Sequence, residues 1–118
     1  MKLAIYHSLL PGGALRAAHE YAKRIGQTHI VDVYRVRSTR DDEWQYQPFK
    51  NVRTECVFSF EPSLHAPNVN CSPFIPLDLW RLARLSRRIA MDMQSERYAA
   101  VLVFASRHTQ APFLLRYL

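Results

Sequence analysis

Residues 2–25, KLAIYHSLLPGGALRAAHEYAKRI, decide how the chain is read. Leu3, Ala4, Ile5 and Tyr6 form a short apolar run, which predicts a buried strand. Pro11, Gly12 and Gly13 then predict a turn. Beyond it the apolar residues recur at helical spacing. At about 100° per residue, Ala14, Ala17, Ala18, Tyr21, Ala22 and Ile25 fall on one face, with Arg16, His19, Glu20, Lys23 and Arg24 on the other. Strand, glycine turn and helix make the first unit of a βαβ fold. Its turn sets free backbone N–H groups and the positive end of a helix at the carboxyl edge of a parallel sheet, where such folds bind ligands.

Only three glycines occur in the 118 residues, and two of them are adjacent in this turn. That placement predicts a turn needing positive φ or close backbone approach. Gly26 is the expected C-cap of the helix. A second strand follows over residues 29–36, HIVDVYRV, rich in Val, Ile and Tyr. Residues 37–50 read as a polar loop. Asp41 and Asp42 within it lack a third ligand at metal spacing, so no metal site is expected. A third strand is expected over residues 52–60. Pro62, Pro67, Pro73 and Pro76 then argue against regular structure over residues 61–76, a long loop in which His65, Asn68 and Asn70 are candidate polar contacts.

Residues 77–96 read as the longest helix, with Leu79, Leu82, Ala83, Ser86, Ile89, Ala90 and Met93 on its buried face. Arg81, Arg84 and Arg88 lie opposite. They are expected to be solvated surface, partly offset by Asp92 and Glu96. Residues 98–105, YAAVLVFA, predict a fourth strand, apolar enough for a sheet centre buried on both faces. Ser106, Arg107, His108, Thr109 and Gln110 follow, and Pro112 opens a short final helix that ends on an apolar stub, as if the chain were cut short.

Size and composition fit one α/β domain: 48% of residues are hydrophobic and 22% charged. Sixteen Lys and Arg against ten Asp and Glu give a net charge of +6. No basic run exceeds two residues, so a nucleic-acid partner is not expected, while peripheral contact with an anionic membrane stays open. Cys56 and Cys71 lack CxxC spacing and read as reduced thiols. No stretch is long enough to span a membrane and none resembles a signal peptide, so a cytoplasmic site, including the inner face of a membrane, is expected.

Right-handed crossovers arrange four such strands in the order 3-2-1-4, a Rossmann-like three-layer sandwich with a mostly parallel sheet. The crevice then opens between strands one and four, and both polar turns, residues 11–13 and 106–110, fall there. Cofactor motifs do not fit this turn. GxGxxG and Walker A are absent, Asp32 lies too early in strand two for a ribose ligand, and His7-Ser8 lacks the nucleophile-elbow glycines.

The segment IYHSLLPGGALRAAHEYAKRI, followed by HIVDVYRV, resembles the N-terminus of family-4 glycosyltransferases of the GT-B fold. The matching residues are Pro11, Gly12, Gly13 and residues 29–34. The final stretch YAAVLVFASRHTQAPFLLRYL resembles the fourth strand of that domain and its continuation. The likeness covers about half of the chain, at its two ends. It implies a truncated N-terminal, acceptor-binding half of a retaining glycosyltransferase that uses a nucleotide-sugar donor. Its partners would be a sugar, lipid or glycan acceptor and a C-terminal donor domain not contained in these residues. On the same resemblance Gly12, Gly13 and Arg16 would border the donor diphosphate and acceptor, and Ser106, Arg107 and His108 would line the acceptor side. It assigns no catalytic residue here, no cofactor held by this chain and no metal requirement. A histidine directly after strand four would also be implied, where this chain has Phe104 and Ala105. The competing reading is a non-catalytic Rossmann-like binding domain of response-regulator or flavodoxin type.

Overall fold

A computed structural model describes residues 1–10, 12–38, 46–63, 73–105 and 112–118. Along the chain run β1 (Lys2–His7), α1 (Gly13–Ile25), β2 (Ile30–Arg37), β3 (Thr54–Ser59), α2 (Ile75–Glu96), β4 (Ala100–Val103) and α3 (Leu114–Tyr117). The four strands form one parallel sheet in the order β3-β2-β1-β4. Ile5 lies opposite Val33 on one side and Leu102 on the other, and Tyr34 lies opposite Cys56. With helices on both faces this is the expected α/β, Rossmann-like three-layer sandwich.

Side-chain alternation along the strands feeds two separate cores. Ile5, Val31 and Val33 pack under Leu15, Ala18 and Ala22 of α1. Ala4, Tyr6, Tyr34 and Val36 pack under Leu82, Ile89, Ala90 and Met93 of α2, where Leu114 of α3 joins them. Ile89 has no exposed surface, so Ile89→Ala should cost about 2–5 kcal/mol. In the connection from β2 to β3, Tyr46, Phe49 and Val52 lie on the α1 face. Among its described residues no helix forms, and buried Phe49 fills that layer instead.

Three expectations change at this level, and a fourth, the Gly26 cap, holds for a different physical reason. The buried face of α1 is rotated toward Leu15, while Tyr21 is 52% exposed. The rotation brings His19, assigned to the polar face, onto Phe49, with the rings stacked 4.0 Å apart. Gly26 does cap α1 but in right-handed conformation, so positive φ is not why glycine is needed. The reason is space. A Cβ there would stand 2.8 Å from Asn51 Cβ and 2.9 Å from the Ala22 carbonyl oxygen.

Pro76 sits inside the first turn of α2, which begins at Ile75, because an N-terminal proline sacrifices no intrahelical hydrogen bond. Finally, β4 is a sheet edge, not a buried centre. Leu102 is 41% exposed, and an apolar groove of about 270 Å³ opens on the α1 side between Ile25 and Leu102. The apolar run specified a strand correctly, but the described residues supply nothing to cover this face.

Candidate functional site

β1 ends at His7, on the carboxyl edge of the sheet, and after five intervening residues the chain enters α1. Gly12 is extended, and its carbonyl accepts the first helical hydrogen bond from Arg16 N–H at 3.0 Å. No side chain caps this helix end and no acid lies in its first turn. Its positive end is therefore not neutralised locally. Basic Lys23 and Arg24 occupy the last turn, where they complement the dipole.

The glycine pair has no conformational need for glycine. Gly12, with φ of 160°, is extended backbone, and neither glycine is in the left-handed region. A Cβ on Gly13 would meet nothing within 4 Å, and one on Gly12 only the Leu10 carbonyl oxygen at 4.0 Å. The expectation of positive, left-handed φ is thus corrected, and among the described residues nothing crowds the pair. Gly12, Gly13 and Arg16 are all exposed and adjacent. Backbone N–H groups here can receive an oxyanion or a hydroxyl oxygen, with Arg16 adding positive charge. Pro11, Ser106, Arg107, His108, Gln110, Asp41, Asp42, His65, Asn68, Asn70 and Cys71 lie outside the described residues.

Beneath the loop after β1, His7 and Ser8 are buried. His7 Nδ1 accepts a 3.3 Å hydrogen bond from Leu9 N–H, which leaves the proton of a neutral ring on Nε2. Its ring centroid is 5.3 Å from Phe49, which His19 covers from α1. Burial lowers the His19 pKa and favours its neutral form. Phe49 thus joins two histidines under the candidate site, and Arg35 lies 3.6 Å over the nearby Tyr46 ring. None of these contacts follows from the local sequence. Phe49 stood as one aromatic between Pro48 and Lys50 in a polar stretch.

A second polar cluster lies toward the opposite, amino edge. Asp32 is buried and receives Arg53 Nε at 2.9 Å, a second bond from Arg53 Nη2, and the Tyr98 hydroxyl at 2.5 Å. Because Tyr98 spends its proton on Asp32, Tyr34 donates to Tyr98 at 3.0 Å. Burial opposes ionisation of Asp32, but the bonds from Arg53 and Tyr98 outweigh it and hold the carboxyl below its usual range. Glu96 is lowered as well, by Lys2 and then Arg53. Perturbed carboxylates can mark active sites. Here they sit away from the carboxyl edge, saturated with partners, and fasten α2 to the sheet.

Among the described residues no group of three or more His, Cys, Asp or Glu is placed to hold a metal ion. No described helix is long and apolar enough to cross a membrane. Cys56 is a free, half-buried thiol whose pKa burial raises. Comparison with protein-family models, curated proteins and solved structures gives no match to this chain.

Proposed function

We propose that this chain is the N-terminal, acceptor-binding domain of a retaining glycosyltransferase of GT-B type, moving a sugar from a nucleotide-sugar donor to an acceptor hydroxyl. The observation that carries the reading is the amino end of α1: among the described residues it is uncapped, free of acids in its first turn and unobstructed around Gly12 and Gly13. It lies at the carboxyl edge beside β1, next to the switch point where strand order reverses between β1 and β4. The sequence likeness at both ends of the chain supports it. The competing flavodoxin or response-regulator reading fits less well, because those folds order their strands 2-1-3-4, whereas β3 here lies outside β2.

In this reading the first-turn N–H groups of α1 receive an oxygen of the diphosphate or acceptor, and Arg16 adds charge at the rim. Such oriented donors stabilise negative charge as it develops on a leaving diphosphate. A second domain would supply most donor contacts and close the cleft. The test is incubation of the full-length protein carrying this domain with a panel of radiolabelled nucleotide sugars and candidate acceptors. Proton NMR of any product then reports the anomeric configuration. Label transfer with retained configuration is expected. Inverted product, or no transfer from any donor, would refute the reading.

A further inference from the structure

The outward face of α2 does not look like ordinary solvated surface. Leu77, Trp80 and Met91 are 51%, 58% and 61% exposed. At about 100° per residue they fall on one stripe with Arg84, flanked by Arg87 and Arg88. A solvated helix face would be polar throughout. This one mixes large apolar side chains with cations, and exposed Phe74 and Ile75 add apolar surface at the amino end of the helix.

The expected offset by acids is also missing. Of the three acids on α2, Asp78 is buried and turned inward, accepting from Ser63 N–H at 3.0 Å, from the Ser63 hydroxyl at 2.7 Å and from Arg81 at 3.2 Å. Glu96 is engaged by Lys2 and Arg53. Asp92 lies exposed on the flank and enters no ion pair among the described residues. Among the described residues Arg84, Arg87 and Arg88 enter no ion pair. The Arg84 guanidinium lies 5.6 Å over the Trp80 ring. Beside it a groove of about 390 Å³ runs between α2 and the end of β3, lined by Ser59, Phe60, Trp80, Arg81, Arg84 and Arg88.

We propose that this face of α2 docks the protein on an anionic lipid bilayer. Leu77, Trp80 and Met91 enter the headgroup–acyl boundary, and Arg84, Arg87 and Arg88 meet lipid phosphates, one of which fits the arginine groove. The alternation of exposed apolar and cationic residues along one helix is the pattern of interfacial helices. An indole at such a boundary places its ring among apolar chains and its N–H in the polar zone. Charge complementarity with anionic lipid comes from the three arginines and the net charge of +6. An acidic protein or polymer would satisfy the arginines but leave Leu77 and Met91 exposed. The proposal does not depend on the glycosyltransferase reading.

The test is co-sedimentation of the purified protein with phosphatidylcholine vesicles containing 30% phosphatidylglycerol, compared with pure phosphatidylcholine. Binding to the anionic vesicles alone is expected, weakening as salt rises. Each arginine near such a surface is worth about fivefold in partition, so Arg84→Glu/Arg88→Glu should weaken binding by at least about tenfold. Trp80→Ser should weaken it at constant charge. Lys23→Glu/Arg24→Glu on α1, across the sheet, changes the net charge equally and should bind more tightly than the α2 pair. Circular dichroism melts confirm that each variant folds. No binding, equal binding to neutral vesicles, or equal losses from the two charge reversals would overturn the proposal. So would arginine-dependent binding to soluble polyglutamate without binding to vesicles.

Discussion

Tyr98 donates a 2.5 Å hydrogen bond to the Asp32 carboxylate, joining the exit of α2 to the third residue of β2. The two are 66 residues apart in sequence. Arg53, entering β3, binds the same carboxylate and also reaches Glu96 at 3.2 Å. One buried acid therefore links β2, the entry to β3 and the segment between α2 and β4 through side chains as well as through the sheet.

Asp32→Asn should destabilise the protein at neutral pH by about 1–2 kcal/mol, the cost of weakened charge-assisted bonds when Arg53 is partly solvated. The pH dependence has a definite sign. The folded-state pKa of Asp32 lies below its unfolded value of about 3.9. Its contribution is thus complete above that unfolded value and lost as pH falls through the folded one. Urea unfolding of both proteins across pH 2.5–7, intervals taken at about half a unit, should show curves that converge in acid. A constant gap down to the lowest pH would contradict the assignment.

Gly26→Ala should destabilise by about 1–3 kcal/mol, because the new methyl group overlaps Asn51 and the last turn of α1. Asn51 is hard to displace. It adopts φ of 60° and its side-chain amide donates to the Lys23 carbonyl at 3.0 Å, so it closes the end of α1 from a distant loop. An unchanged midpoint in urea would show that Gly26 has no such neighbour.

Arg97 ends α2 in left-handed conformation, with φ of 54°, a geometry that costs a side-chain-bearing residue about 1–2 kcal/mol. Arg97→Gly relieves it, less the added entropy of the unfolded chain. The expected result is a gain of about 0.5 kcal/mol, seen as a higher Tm. A lower Tm would mean that the arginine side chain contributes more than its backbone costs.

How much of this was legible depended on the range of the interactions. Strand identity and order were readable because apolar runs such as residues 3–6 and 29–36 report on their own backbone. The rotation of α1 was not, because its cause is Phe49, which reaches α1 from beyond β2 and stacks on His19. The edge position of β4 was missed for a related reason: an apolar run states that it prefers burial, not whether a neighbour covers it. Asp32 could be rejected as a ribose ligand from its place in strand two. Its structural role required Arg53 and Tyr98, which no local pattern connects to it. At the candidate site the glycine pair was visible, but left-handed backbone, one of the two reasons given for it, does not apply. Among the described residues none crowds Gly12 or Gly13, so close approach by another molecule is the reason that stays.

That openness makes the central claim directly testable. The decisive measurement is sugar transfer by the full-length protein carrying Gly13→Val, with a thermal melt in parallel. Because a Cβ at position 13 meets no described residue within 4 Å and valine is the better helix former of the two, the variant should keep its fold, with stability within about 1 kcal/mol of wild type. If α1 presents its amino end to donor or acceptor, transfer should fall at least about a hundredfold, the scale for removing a preorganised oxyanion contact. Wild-type turnover in a folded Gly13→Val protein would contradict the account.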